Sequence, residues 1–106
     1  MQMNYRSVIN VKTSAATEDA VFDFANQYGA GETCASGSVT ATVYSGIDAS
    51  PSGVLSGSGV ASGTKFTQKV IAGMLGVVYL LTCTTTSSAG KVRSLQGFLI
   101  IVPPGV

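Results

Sequence analysis

The chain reads as a succession of short β-forming runs, each closed by glycine or serine, and that rhythm restricts it to a small all-β domain. Valine, isoleucine, threonine, phenylalanine and tyrosine contribute 13, 5, 11, 4 and 4 of the 106 residues. These are the types that fit a pleated, half-buried surface. Thirteen glycines and 13 serines supply turns between them.

Alternation of apolar and polar residues places the strands. Residues 7–12 form the first. A window at 15–26 has a helix-like cap at Thr17, but Ala20, Phe22 and Phe24 alternate with Val21 and Asp23, so 20–25 reads as a strand. Gly29 and Gly31 mark 27–32 as a loop. Residues 38–44 put Ser38, Thr40 and Thr42 on one face and Val39, Ala41 and Val43 on the other. A turn follows at 46–52, then a short strand around 54–56 and a glycine-rich loop at 57–63. In 64–71, Lys65, Thr67 and Lys69 face water while Phe66 and Val70 face inward. Residues 73–76 turn the chain into a long strand at 77–86. A hairpin turn at 87–90 leads to the last strand, 91–102. Pro103 and Pro104 then stop pairing, because proline has no N–H to donate.

About seven strands with turn signals every 8–12 residues predict an immunoglobulin-like antiparallel β-sandwich. A closed barrel is the alternative. Residues 1–106 read as one domain, with tails at 1–6 and 103–106.

Charge excludes several functions. Six Lys and Arg against five Asp and Glu give a net charge of +1, and 10% of residues are charged, against about 25% in ordinary soluble domains. A nucleic-acid surface needs clustered cations, and none occurs. No run reaches the roughly 18 apolar residues of a membrane helix. The opening Met1-Gln2-Met3-Asn4-Tyr5-Arg6 lacks the apolar run of a secretory signal. So little surface charge suits a protein that works inside an assembly.

No catalytic, cofactor or metal site emerges. The chain has no His, the usual general base near neutral pH and a common metal ligand. Gly57-Ser58-Gly59 with Gly63 resembles a phosphate loop only in glycine content, because no Lys-Ser/Thr follows. Glu18, Asp19 and Asp23 are too sparse for a calcium loop, and read as solvated or turn-capping groups. Cys34 and Cys83 have no CxxC spacing, so the reading is two buried thiols, neither bridged nor metal-bound.

The segment from Gly73 to Arg93 is the most informative. It holds Gly-x-x-Gly, then Tyr79-Leu80-Leu81-Thr82-Cys83-Thr84, then Thr86-Ser87-Ser88-Ala89-Gly90-Lys91. Upstream stand Ala20-Val21-Phe22-Asp23-Phe24 and Gly31-Glu32-Thr33-Cys34-Ala35-Ser36. In order and spacing these resemble small immunoglobulin-like virion proteins of tailed bacteriophages and prophages, over about 12–102. Asn26-Gln27-Tyr28 stands where those proteins carry tryptophan, and Cys34 where they carry an aliphatic residue.

The resemblance implies a non-enzymatic structural part of a virion, made in the bacterial host cytoplasm. It would be a capsid decoration, collar or head-to-tail accessory protein in many copies. Capsid, portal or tail proteins would be its partners, with no nucleic acid and no membrane. The alternative is a carbohydrate- or receptor-binding module of a phage fibre or bacterial surface, using Tyr28 and Tyr44.

The last two strands carry the expected interaction surface. If Tyr79, Leu81 and Cys83 face the core, Val78 and Leu80 point outward. The run Phe98-Leu99-Ile100-Ile101-Val102 is apolar on both faces. Val78, Leu80, Leu99 and Ile101 are therefore the candidate interface residues, with a loop or the 1–5 segment folding over them within one chain as the competing arrangement.

Overall fold

The computed structural model describes residues 8–103; the expected tail at 1–6, its folding over the sheet, and residues 104–106 lie outside them. Among the described residues seven strands form two sheets. They are β1 Val8–Lys12, β2 Glu18–Asp23, β3 Cys34–Ser45, β4 Leu55–Ser62, β5 Lys65–Val70, β6 Val78–Ser87 and β7 Val92–Ile101. Among the described residues the helical content is one 3-10 turn, Pro51–Val54.

One sheet has the order β1-β7-β6-β3 and the other β2-β5-β4. All pairs are antiparallel except β1 with β7, which run parallel. The sets β2-β5-β4 and β3-β6-β7 reproduce the strand order of an immunoglobulin-type sandwich. β1 has joined the larger sheet instead of extending the smaller one. The expected all-β sandwich is therefore observed.

The core lies between the sheets. Ala20 and Phe22 of β2, with Phe66 and Val70 of β5, meet Tyr79, Leu81 and Cys83 of β6 and Leu95, Leu99 and Ile101 of β7. Strict alternation in β6 sends Val78, Leu80, Thr82, Thr84 and Thr86 to the other side.

Two expectations are corrected. Residues 57–63 were expected to be a loop, yet Leu55–Ser62 is a strand paired with β5. Local glycine and serine signal a turn, but β5 supplies backbone partners the local signal does not see. The register shifts between Ser56 and Val60. Inside that irregularity the buried Gln68 amide donates to the carbonyls of Ser56 at 3.1 Å and Gly57 at 3.2 Å. Gly59 is required here: a Cβ would lie 2.3 Å from Cε2 of Phe66.

The second correction concerns Leu99 and Ile101. They are 0% and 3% exposed, so neither lies on the surface. Ser88, Ala89 and Gly90 form a three-residue turn, closed by Ser87 N–H to the Lys91 carbonyl at 2.8 Å, with Gly90 at φ +80°. This register pairs Leu80 with Phe98 and Val78 with Ile100. A turn at 87–90 pairs Thr86 with Lys91, one residue out of step, and a one-residue slip moves a whole strand's side chains to the opposite face.

Both cysteines are free and buried. Burial pushes the Cys83 thiol up to about 12, with Cys34 adding to the effect. Two thiols should be titrated in denatured, unreduced protein, and Cys83 should resist modification in the native state. A bridge mapped by peptide mass would contradict this. Gly59→Ala should lower stability by about 1–3 kcal/mol through overpacking against Phe66. Gly53→Ala, which meets open space, should change it by less than about 0.5 kcal/mol. Urea midpoints of the two variants provide the comparison.

Candidate protein-interaction face

The two outer faces of the sandwich differ in charge. On the three-stranded sheet, Asp19 stands opposite Lys69 and Asp23 opposite Lys65. The Lys69 ammonium lies 3.8 Å from the Asp19 carboxylate. A charged ladder of this kind solvates a sheet and blunts its edges. On the four-stranded sheet, among the described residues, no outward position carries a charge.

That uncharged face is built in rows by strand register. Val11, Ile100 and Val78 form one row across β1, β7 and β6. Phe98, Leu80 and Thr42 form the next, across β7, β6 and β3. The rows then turn polar: Gln96, Thr82 and Thr40, followed by Ser94, Thr84 and Ser38. Gln96 Nε2 donates to Thr82 Oγ1 at 3.3 Å, and the Thr84 and Ser94 hydroxyls pair at 2.9 Å. The hydroxyl half thus satisfies part of its own hydrogen bonding. The other half is apolar.

Val78, Leu80, Phe98 and Ile100 are half-buried by their neighbours, whereas Val11 is 54% exposed and Tyr44 64% exposed. The Tyr44 ring meets Phe98 edge-on at 4.8 Å, reaching across the outside of β6. An apolar area of this kind on the outer face of a sheet marks an interaction surface once it exceeds a few hundred Å2.

Of the four candidate residues, the structure brings Val78 and Leu80 to this face and places Leu99 and Ile101 beneath it. Val11, Tyr44, Phe98 and Ile100 were missed. Phe98 and Ile100 face outward because the turn is three residues, 88–90, one shorter than the expected 87–90. Val11 depends on the parallel pairing of β1 with β7, which no local pattern announces. Tyr28, considered as an exposed sugar platform, is buried, and its hydroxyl pairs with Thr85 Oγ1 at 2.7 Å.

Hydrogen bonds lock the loops at both ends of this sheet. At the apolar end, Tyr79 OH donates to Asp48 Oδ2 at 2.6 Å and accepts from Met74 N–H at 2.9 Å. A tyrosine near the start of the sixth strand, bonded to backbone upstream, is similar to the tyrosine corner of immunoglobulin-type sandwiches, although it stands four residues before Cys83 rather than two. The Tyr79 hydroxyl and the Ser50 N–H hold the Asp48 carboxyl below its ordinary value. Burial, then Asp48, raises the Tyr79 phenol. Ile47, 87% exposed, together with Met74 and Leu75, protrudes from these loops.

Lys12 is buried in the same region. Its ammonium donates to the carbonyls of Thr13 at 2.6 Å, Ser14 at 3.4 Å and Ala72. Burial lowers its pKa against the opposing charge of Glu18. At the opposite end, Glu32 accepts from Ser87 Oγ and from Gly29 N–H, the latter at 2.7 Å. These two bonds depress its carboxyl. Among the described residues no group of three or more Cys, Asp or Glu comes together to hold a metal ion. Among the described residues no helix is long and apolar enough to cross a membrane.

A β-sandwich with one charged face and one uncharged, half-apolar face belongs to the class of domains equipped for protein–protein contact. Residues 12–99 match the family described as podophage GP4 fiber-tail adaptor protein gp77, and the chain belongs to that family. It is thus a structural component of a tailed-phage virion. No curated protein matches it.

The depressed carboxylates predict an acid limit. Asp23, Glu32 and Asp48 each have a folded pKa below the ordinary value. For Asp23, the Thr64 hydroxyl and then the Ala25 N–H are responsible. A depressed pKa gives stability that is fully present above the unfolded value and lost as pH falls through the folded value. Stability should therefore be flat through neutral pH. It should fall once pH drops below the ordinary values, 4.5 for Glu and 3.8 for Asp. Glu32→Gln should flatten part of that slope in denaturant titrations across the range.

Proposed function

We propose that this protein is a non-enzymatic adaptor at the fibre–tail junction of a podophage-type virion, acting through the uncharged face of its four-stranded sheet. The observation that carries the reading is the apolar half of that face, on a chain of the fibre-tail adaptor family. Binding of tail and fibre proteins follows from the role the family description names. That description favours the fibre–tail junction, in place of the capsid-decoration, collar or head-to-tail position expected from sequence. The protein reaches this position after synthesis in the host cytoplasm and occupies it in many copies.

The energetics support contact at this face. Fully burying one large aliphatic or aromatic side chain is worth roughly 1.5–3 kcal/mol. Six apolar residues, Val11, Tyr44, Val78, Leu80, Phe98 and Ile100, would supply several kcal/mol before association costs are subtracted, four of them being already half-buried. With no charge on the face, association requires no ion desolvation there.

Leu80→Ser combined with Phe98→Ser tests the proposal, because both side chains point out of the sandwich. The double variant should keep its β-type circular dichroism and cooperative unfolding. Particles grown with it as the sole copy should lack the protein by mass spectrometry and lack attached fibres by cryo-electron microscopy. Normal incorporation, or density for the wild-type protein on the capsid shell, would refute the proposal. Ile101→Ser is the contrasting control. It should cost about 2–5 kcal/mol, as buried large-to-small changes do, and destabilise the domain itself.

A further inference from the structure

We infer that the uncharged face pairs with the same face of a second copy of this chain, about a two-fold axis running parallel to the strands between β6 and β7. This rests on the reading of that face as a protein interface and names its occupant.

Three features of the face select a second copy. The first is neutrality. A symmetric contact sets each surface against itself, so charged residues near the axis meet their own kind. The opposite face, with its Asp and Lys ladder, carries groups that self-contact would desolvate. The four-stranded face has no charged group among its described outward residues, so self-contact creates no like-charge pair.

The second is size. Four strands at roughly 4.8 Å spacing, with the two central strands ten residues long, span on the order of 500–600 Å2. Two copies would bury about 1,000–1,200 Å2, the lower bound for a specific interface.

The third is the segregation of the rows. Rotation about an axis along the strands preserves position along them. Apolar rows then fall on apolar rows and hydroxyl rows on hydroxyl rows. An axis across the strands would instead set apolar rows on threonines. The chosen arrangement is also the aligned packing that twisted sheets adopt, with strand directions within about 30° of each other.

The same rotation fixes the contacts. With the order β1-β7-β6-β3, β7 of one copy covers β6 of the other, and β1 covers β3. Phe98 lies over Leu80 and Ile100 over Val78. Val11 at one margin approaches Tyr44 from the margin of the second copy. Both are exposed apolar residues at the margins of the face, and each lies where the rotation brings the other. Within one chain the β1 and β3 backbones are three strand spacings apart, about 14 Å.

Val11→Cys combined with Tyr44→Cys in the full-length chain, treated with a short bismaleimide, reads this geometry directly. The wild-type chain, whose thiols are buried, is the control. The double variant should give a covalent dimer on denaturing gels, and either single variant should give none above the control. Adding Leu80→Ser and Phe98→Ser should abolish the dimer, and light scattering of the wild-type chain should report two copies. A monomeric wild-type chain with no cross-link overturns the pairing, as does a dimer that links through Val11→Cys alone or fails to link. If cross-linking fails while Leu80→Ser/Phe98→Ser is still lost from particles, the face binds a different virion protein and only the self-pairing falls. If the dimer forms but that variant enters particles with its fibres, the adaptor role of the face falls and the self-pairing stands.

Discussion

The register of the β6–β7 hairpin decides which half of the apolar residues enters the core. Ser88, Ala89 and Gly90 make the turn, and Gly90 adopts the positive φ that closes it. From there every pair is set, from Thr86 with Val92 to Val78 with Ile100. Tyr79, Leu81 and Cys83 consequently meet Leu95, Leu99 and Ile101 on the buried side. A one-residue slip of β7 would expose Leu95, Leu99 and Ile101 and turn Ser94, Gln96, Phe98 and Ile100 inward. β1 and β3 are added to the outer sides of this hairpin, so their inward and outward residues inherit its register.

Packing alone would leave the loops at the two ends free. The chain ties them with phenol hydroxyls that emerge from the core. Tyr79 fills core space with its ring and fastens both the Asp48 loop and the Met74 backbone with its hydroxyl. Tyr28 stacks on Phe24 and anchors the opposite end to Thr85. Burying a tyrosine is favourable when its hydroxyl finds a partner, and both do. This economy of polar groups matters in a chain with so few charges. Several of the ionisable side chains are committed to the β2–β5 ladder or to loop locks such as Glu32 and Lys12.

Charge segregation links this architecture to the virion. A free monomer usually spreads charge over its surface. Here one sheet face carries an Asp–Lys ladder, while the other offers valine, leucine, isoleucine and aromatic side chains held in a fixed array by strand pairing. Such an array is pre-organised, and little conformational freedom remains to be lost on contact. The Tyr79 lock extends the same rigidity to the protruding Ile47, Met74 and Leu75 at its apolar end.

Composition and alternation determined the all-β class, the approximate strand count and the inward residues of β5 and β6, because these follow from the two-residue period of a strand and from glycine and serine between strands. The resemblance of the Gly73 to Arg93 segment likewise pointed to a tailed-phage structural protein. Three things awaited tertiary structure. The strand at Leu55–Ser62 exists because β5 supplies its hydrogen-bond partners and because Gly59 admits the Phe66 ring, neither visible in a glycine- and serine-rich run. The exchange of Leu99 and Ile101 for Phe98 and Ile100 turned on one residue of hairpin register, and a run apolar at every position carries no alternation from which to read it. Val11 and Tyr44 joined the face only when β1 paired in parallel with β7 and the Tyr44 ring crossed β6. Those contacts span more than 50 residues of chain, and their positions are set by the packing of whole strands.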